Sequence, residues 1–156
     1  MFHSSNPTLF GRTEGVIGES AVLWRTIGGL RRISHELSEN VDDANIEARR
    51  LLATLSTSLS TYFDTTEAQG YFATIVADCP GLLQLVGTLS DARERLKLSV
   101  TSARRLAFRT TDAAELGQQI DLVLDGFEEH EHSERDLLQR FFLYGGKHSD
   151  GRLDAS

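Results

Sequence analysis

The chain has 156 residues, of which 40% are hydrophobic and 25% charged, ordinary values for one soluble globular domain with a full core. Its formal net charge of −7 argues against nucleic acid and anionic membrane as partners. A single cysteine, Cys79, excludes an internal disulfide and a CxxC metal site, and no run of about 18 apolar residues is present to span a membrane.

Residues 1–19 carry Gly11, Gly15 and Gly18 and are expected to form an N-terminal arm. They lack the basic start and apolar centre of a signal peptide, so the expected compartment is the cytoplasm. A first helix is expected from Ser20 to Asn40, with Ser20 as cap and a seam of Leu23, Ile27, Leu30, Ser34, Leu37 and Val41. Gly28 and Gly29 weaken its middle and allow close packing. A second helix is expected from Asp43 to Ala68, with Ala48, Leu52, Leu55, Leu59, Tyr62 and Thr66 on its seam. A short segment, Tyr71 to Ala77, continues it past Gly70. The chain then turns at Asp78-Cys79-Pro80. A third helix starts near Pro80, a favourable first-turn position for proline. Its seam is Leu82, Val86, Leu89, Arg93, Leu96, Val100, Ala103 and Ala107.

The fourth helix is expected after Thr110-Thr111-Asp112, with Thr111 or Asp112 as cap and Glu115 in the first turn. Its seam is Leu116, Ile120, Val123, Phe127, His130, Glu134, Leu137 and Phe141, at alternating steps of four and three. Residues 145–156 form a polar tail expected to be flexible. Four long helices with short links predict an all-α fold, an antiparallel up-down four-helix bundle over residues 20–144.

Six polar side chains interrupt the apolar seams: Ser34, Tyr62, Thr66, Arg93, His130 and Glu134. Each helix supplies at least one. Burying a carboxylate and an imidazole is costly unless a metal or a counter-charge meets them. The seams therefore predict a polar cluster inside the bundle.

The residues resemble the hemerythrin-like (HHE cation-binding) domain family. The segment FEEHEHSERDLL resembles that family's last metal-binding helix, where a His and a Glu stand four apart, as His130 and Glu134 do. YFDTTEAQGYF resembles its second-helix segment and keeps the frame at Phe63, Glu67, Gly70 and Tyr71. Tyr62 stands where the family has its His, and Thr66 where it has its Glu. CPGLLQLVGTLSDARERL resembles the third helix, with Arg93 in place of a His. In the first helix, Ser34 with Leu37 has the family's spacing, and His35 lies one position off. The resemblance implies a bundle that in relatives holds a non-haem di-iron centre. Such a centre takes roughly five imidazoles plus bridging carboxylates, because each iron wants about six ligands. This chain offers His130, Glu134 and, one position off, His35.

Arg93 stays protonated in a protein and would put fixed positive charge where the cation sits in relatives. The reading that follows is an Arg93–Glu134 pair, bidentate, with Tyr62, Thr66 and His130 completing a metal-free network. The alternative is a remnant metal site, iron by analogy, on His35, His130 and Glu134. Plainer readings stand beside these. His35 is then a half-exposed helix residue and His132 a solvated one. Tyr62 is a core aromatic with its hydroxyl at the edge, and Arg93 snorkels out of the bundle. Glu128, Glu129 and Glu131 form a solvated face. Cys79, before Pro80, is a turn residue or, at a helix start, a thiol of lowered pKa.

No nucleophile–base pair and no phosphate-binding glycine loop argues for an enzyme. The function expected is a hemerythrin-like bundle without its di-iron centre, acting as a non-catalytic interaction or regulatory module. A metal-, oxygen- or redox-responsive protein with altered ligands is the alternative, and an enzyme using the polar pocket a further one. A protein partner and a homo-oligomer both remain open.

Overall fold

Helical periodicity runs through nearly the whole chain, and the computed structural model is helical accordingly. It describes the backbone of residues 13–155 and the side chains of residues 21–144. The helices are α1 (Thr13–Ser38), α2 (Ala44–Ala68), α3 (Tyr71–Asp78), α4 (Leu83–Arg109) and α5 (Ala113–Ala155), with a 3-10 turn at Pro80–Leu82 before α4. No strand occurs among the described residues.

The breaks have local causes. Asn40 takes a left-handed backbone (φ 54°), and Val41 N–H reaches back to Glu36 C=O at 3.0 Å while Asn40 N–H reaches Leu37 C=O at 3.2 Å. This double closure ends α1 as a Schellman motif, with Asn tolerating the left-handed position. Val41 therefore lies outside the helix and exposed, not on its seam as expected. Gly70, at φ 73°, separates α2 from α3. Asp112 caps α5, its Oδ1 accepting from the backbone N–H of Ala114 and Glu115 at 3.0 and 3.2 Å.

Two helices run further than expected. The helix of α1 begins at Thr13, inside the segment assigned to an N-terminal arm, and α5 runs to Ala155, through the segment assigned to a tail. Glycine costs about 1 kcal/mol inside a helix but, unlike proline, does not block it, so Gly15, Gly18, Gly145 and Gly146 do not end these helices.

Four antiparallel contacts join the long helices. On α1 and α2, Gly29 faces Leu51 and Arg32 faces Glu47. On α1 and α5, Arg31 pairs with Glu128 and Ser34 with Asp121. On α2 and α4, Arg49 reaches Ala107 and Arg104 reaches Ser56. On α4 and α5, Arg95 pairs with Glu129, and Leu96 packs at Gly126.

The core falls into two apolar clusters. The larger draws on all four long helices and includes Leu30, Leu55, Leu96, Val123 and Phe127. The smaller gathers Tyr71, Ile75, Cys79, Leu82, Val86, Leu89, Leu137 and Phe141 around α3. Every residue of the α4 and α5 seams read from the sequence is buried. Between Leu89 and Leu96 on α4 the buried positions are Ala92 and Arg93, and between Phe127 and Leu137 on α5 they are His130 and Glu134.

Candidate functional site

The polar side chains at those positions make a layer between the two apolar clusters. Helix α4 contributes Arg93, only 1% exposed; α5 contributes His130 (1%) and Glu134 (9%); α2 contributes Thr66 and the half-buried Tyr62. The register that puts Leu89 and Leu96 in the core leaves Arg93 no outward path, so it does not snorkel out.

Arg93 spends its donors on two helices, α2 and α5. Its Nε–H donates to His130 Nε2 at 3.3 Å, one terminal nitrogen donates to Thr66 Oγ1 at 2.9 Å, and the other donates to Glu134 Oε2 at 3.3 Å. The pair with Glu134 is therefore single, not bidentate as expected. The fork is shared because His130 and Thr66 lie within reach of its other edges. Tyr62 Oη–H faces both Glu134 oxygens at 3.3 Å, and Tyr71 Oη–H donates to Oε2 at 3.4 Å. Thr66 Oγ1–H donates in turn to Phe63 C=O at 3.0 Å. Because Nε2 of His130 accepts from Arg93, its ring proton is on Nδ1, which faces Glu131 at 3.2 Å. No buried polar side-chain atom among the described residues lacks a partner.

Aromatic faces complete the enclosure. The guanidinium carbon lies 4.5 Å from the Phe63 ring centre, 4.9 Å from Phe72, and 5.8 Å from both Tyr62 and Tyr71. Desolvated cation–π contacts of this kind are worth about 2 kcal/mol. They offset part of the cost of burying the charge. Burial raises the Tyr62 phenol pKa well above its ordinary value, the Glu134 carboxylate adds to the rise, and Arg93 opposes it.

Two residues expected in the cluster are elsewhere. Ser34 is half-buried on α1, donating to Asp121 Oδ1, away from Arg93. Ile33 takes the core position, so the α1 seam steps from Leu30 to Ile33 to Leu37. His35 is exposed, with Nε2 3.6 Å from Glu39 just past the end of α1, and does not join a ligand set with His130 and Glu134. Steps of three and four are equally helical, so local spacing could not choose between Ile33 and Ser34, although apolarity favoured Ile33.

Five contributors were missed, one of them Phe63, whose ring is nearest the Arg93 guanidinium. Glu131 was assigned to a solvated face but holds the His130 ring. Tyr71 and Phe72 come from α3, and Glu67 lies 3.7 Å from Arg93 with its side chain 51% exposed. Among the acidic run, Glu128 and Glu129 do pair at the surface with Arg31 and Arg95. Cys79 is buried, which pushes its thiol pKa up rather than down, with Asp78 adding to the rise.

As donors, His130, Glu131 and Glu134 have one ligand atom each within 4.8 Å of the others. All three come from one stretch of α5. They do not fit a di-iron centre, whose two ions want about six ligands each. His130 has both ring nitrogens engaged, and the fixed Arg93 charge touches two of the donors. Comparison with family models, with curated proteins and with solved structures returns no match.

Proposed function

We propose that this chain is a hemerythrin-like, antiparallel up-down four-helix bundle in which an ionic network stands where relatives hold iron, and that it serves as a non-catalytic interaction or regulatory module. The observation that carries the reading is Arg93. Its guanidinium lies between His130 and Glu134, the two residues that match the family's ligand pair, and neutralises the carboxylate as a cation would. The antiparallel contacts among α1, α2, α4 and α5 support the bundle.

The protein purified without chelator should hold well under one iron per chain and show no oxo-bridged di-iron absorption. The triple change Tyr62→His, Thr66→Glu and Arg93→His should gain iron, because the frame that carries those positions is unchanged. Stoichiometric iron in the unaltered protein that survives dialysis overturns the reading.

A second reading, a metal- or redox-responsive protein with altered ligands, is favoured by the His130–Glu131–Glu134 donor group alone. It requires the Nδ1 proton of His130 to leave before a cation binds. Titration of the dialysed protein with iron(II) or zinc separates the two: saturable binding lost in Glu131→Gln supports the second.

A further inference from the structure

We propose that α3 is a hinged cover over the polar layer, latched shut by Tyr71 on Glu134 and by Phe72 on Arg93. The geometry supplies a joint at each end. Gly70 precedes α3 in a left-handed backbone that glycine adopts freely, and Cys79 follows it extended (φ −135°, ψ 78°) before Pro80. The latch comes from the first turn of α3. Tyr71 Oη–H donates to Glu134 at 3.4 Å, and its ring and that of Phe72 lie against the Arg93 guanidinium.

The larger part of the core does not depend on this segment, while the smaller cluster is built around its Tyr71 and Ile75. The larger apolar cluster joins α1, α2, α4 and α5 and contains no residue of α3. An eight-residue helix is too short to hold itself in water, so α3 is ordered by what it touches. What it touches is partly ionic. When α3 lifts, Arg93 and Glu134 keep each other and regain water, and this hydration offsets part of the cost of separating the rings from the guanidinium. Lifting a cover from a wholly apolar layer recovers nothing comparable. Opening of α3 exposes Ile75 and the smaller cluster but leaves the larger cluster of the long helices packed, and it admits solvent and solutes to the Arg93–Glu134 pair.

Native-state hydrogen exchange on the full chain tests this. Amides of Tyr71–Asp78 should exchange at least about a hundredfold faster than those of Leu96–Ala103 in α4, by an opening that leaves α4 protected. Tyr71→Phe, which removes one hydrogen bond to a charged group, should speed exchange in α3 about tenfold further and leave Leu96–Ala103 unchanged. Gly70→Ala strains the joint without touching the latch and should act on the same amides, which keeps the test informative should Tyr71→Phe fold poorly. Exchange of α3 at the rate of α4, or acceleration spread evenly over all helices in both variants, overturns the proposal.

Discussion

Arg93 is the residue on which the interior depends. It brings a full charge into the core, and its partners are spread over α2, α3 and α5. Removing one member of a buried pair strands the other, which typically costs about 3–5 kcal/mol. Arg93→Met should lower stability by that order in urea unfolding, whereas Arg93→Met with Glu134→Leu should recover much of the loss. A midpoint shift for Arg93→Met no larger than that of a surface substitution would contradict the network. Tyr62 adds a pH signature. Its folded-state pKa is raised above the ordinary 10.0 of the unfolded chain, so the folded form holds the phenolic proton after the unfolded form has lost it. Stability then falls as pH rises past about 10 towards the folded value. Tyr62→Phe should flatten that decline relative to the unaltered protein, whatever its effect at neutral pH, and denaturant unfolding from pH 8 to 11 measures the difference.

At the scale of the helix, the adjacent glycines of α1 have different tasks. A Cβ at Gly29 would meet Leu51 of α2 at 3.1 Å, so the two helices approach closely there, while a Cβ at Gly28 would meet nothing within 4 Å. Gly28 is exposed in the helix interior, where glycine costs roughly 0.5–1 kcal/mol relative to alanine. Gly28→Ala should therefore stabilise by about that amount, read as a rise in the unfolding midpoint. Gly29→Ala should give less or reverse the sign, because Leu51 must shift to admit the methyl group. The short helix α3 contrasts with α1. Its position is set by side chains of other helices rather than by its own length.

Across the whole molecule, one polar layer separates two apolar clusters, and each long helix except α1 crosses it with a polar or ionisable side chain. A layer of this kind restricts register. Sliding α4 against α5 by one turn would set Arg93 against Leu137 or Phe127 and leave Glu134 unpaired, at the cost of a buried unpaired charge. The apolar clusters supply most of the driving force, at about 1.5–3 kcal/mol for each large side chain buried. The polar layer fixes how the helices meet. No helix of the described residues is long and apolar enough to cross a membrane. The exposed apolar side chains are distributed over α1, α2, α4 and α5.

The seams of α4 and α5 were legible residue by residue because each has a single strict register, in which Arg93, His130 and Glu134 had to face inward with their apolar neighbours. The break at Gly70, the cap at Asp112 and the turn before Pro80 were legible for the same reason: each rests on local backbone chemistry. Ser34 was misplaced because Ile33 and Ser34 both lie at helical spacing from Leu30, and only packing against α5 sends one inward and the other to Asp121. Glu131, Tyr71 and Phe72 escaped notice because nothing in their own segments marks them. Glu131 sits in an acidic run, and the rings of α3 find Arg93 only once that short helix folds back across α4. The sequence alone determined the long helical segments and the inward facing of Thr66, Arg93, His130 and Glu134, since helical period and solvation are local properties. Tertiary structure decided who pairs with whom: Arg93 has several partners within reach of its planar fork, and only the depth of each helix in the assembly assigns one edge each to His130, Thr66 and Glu134.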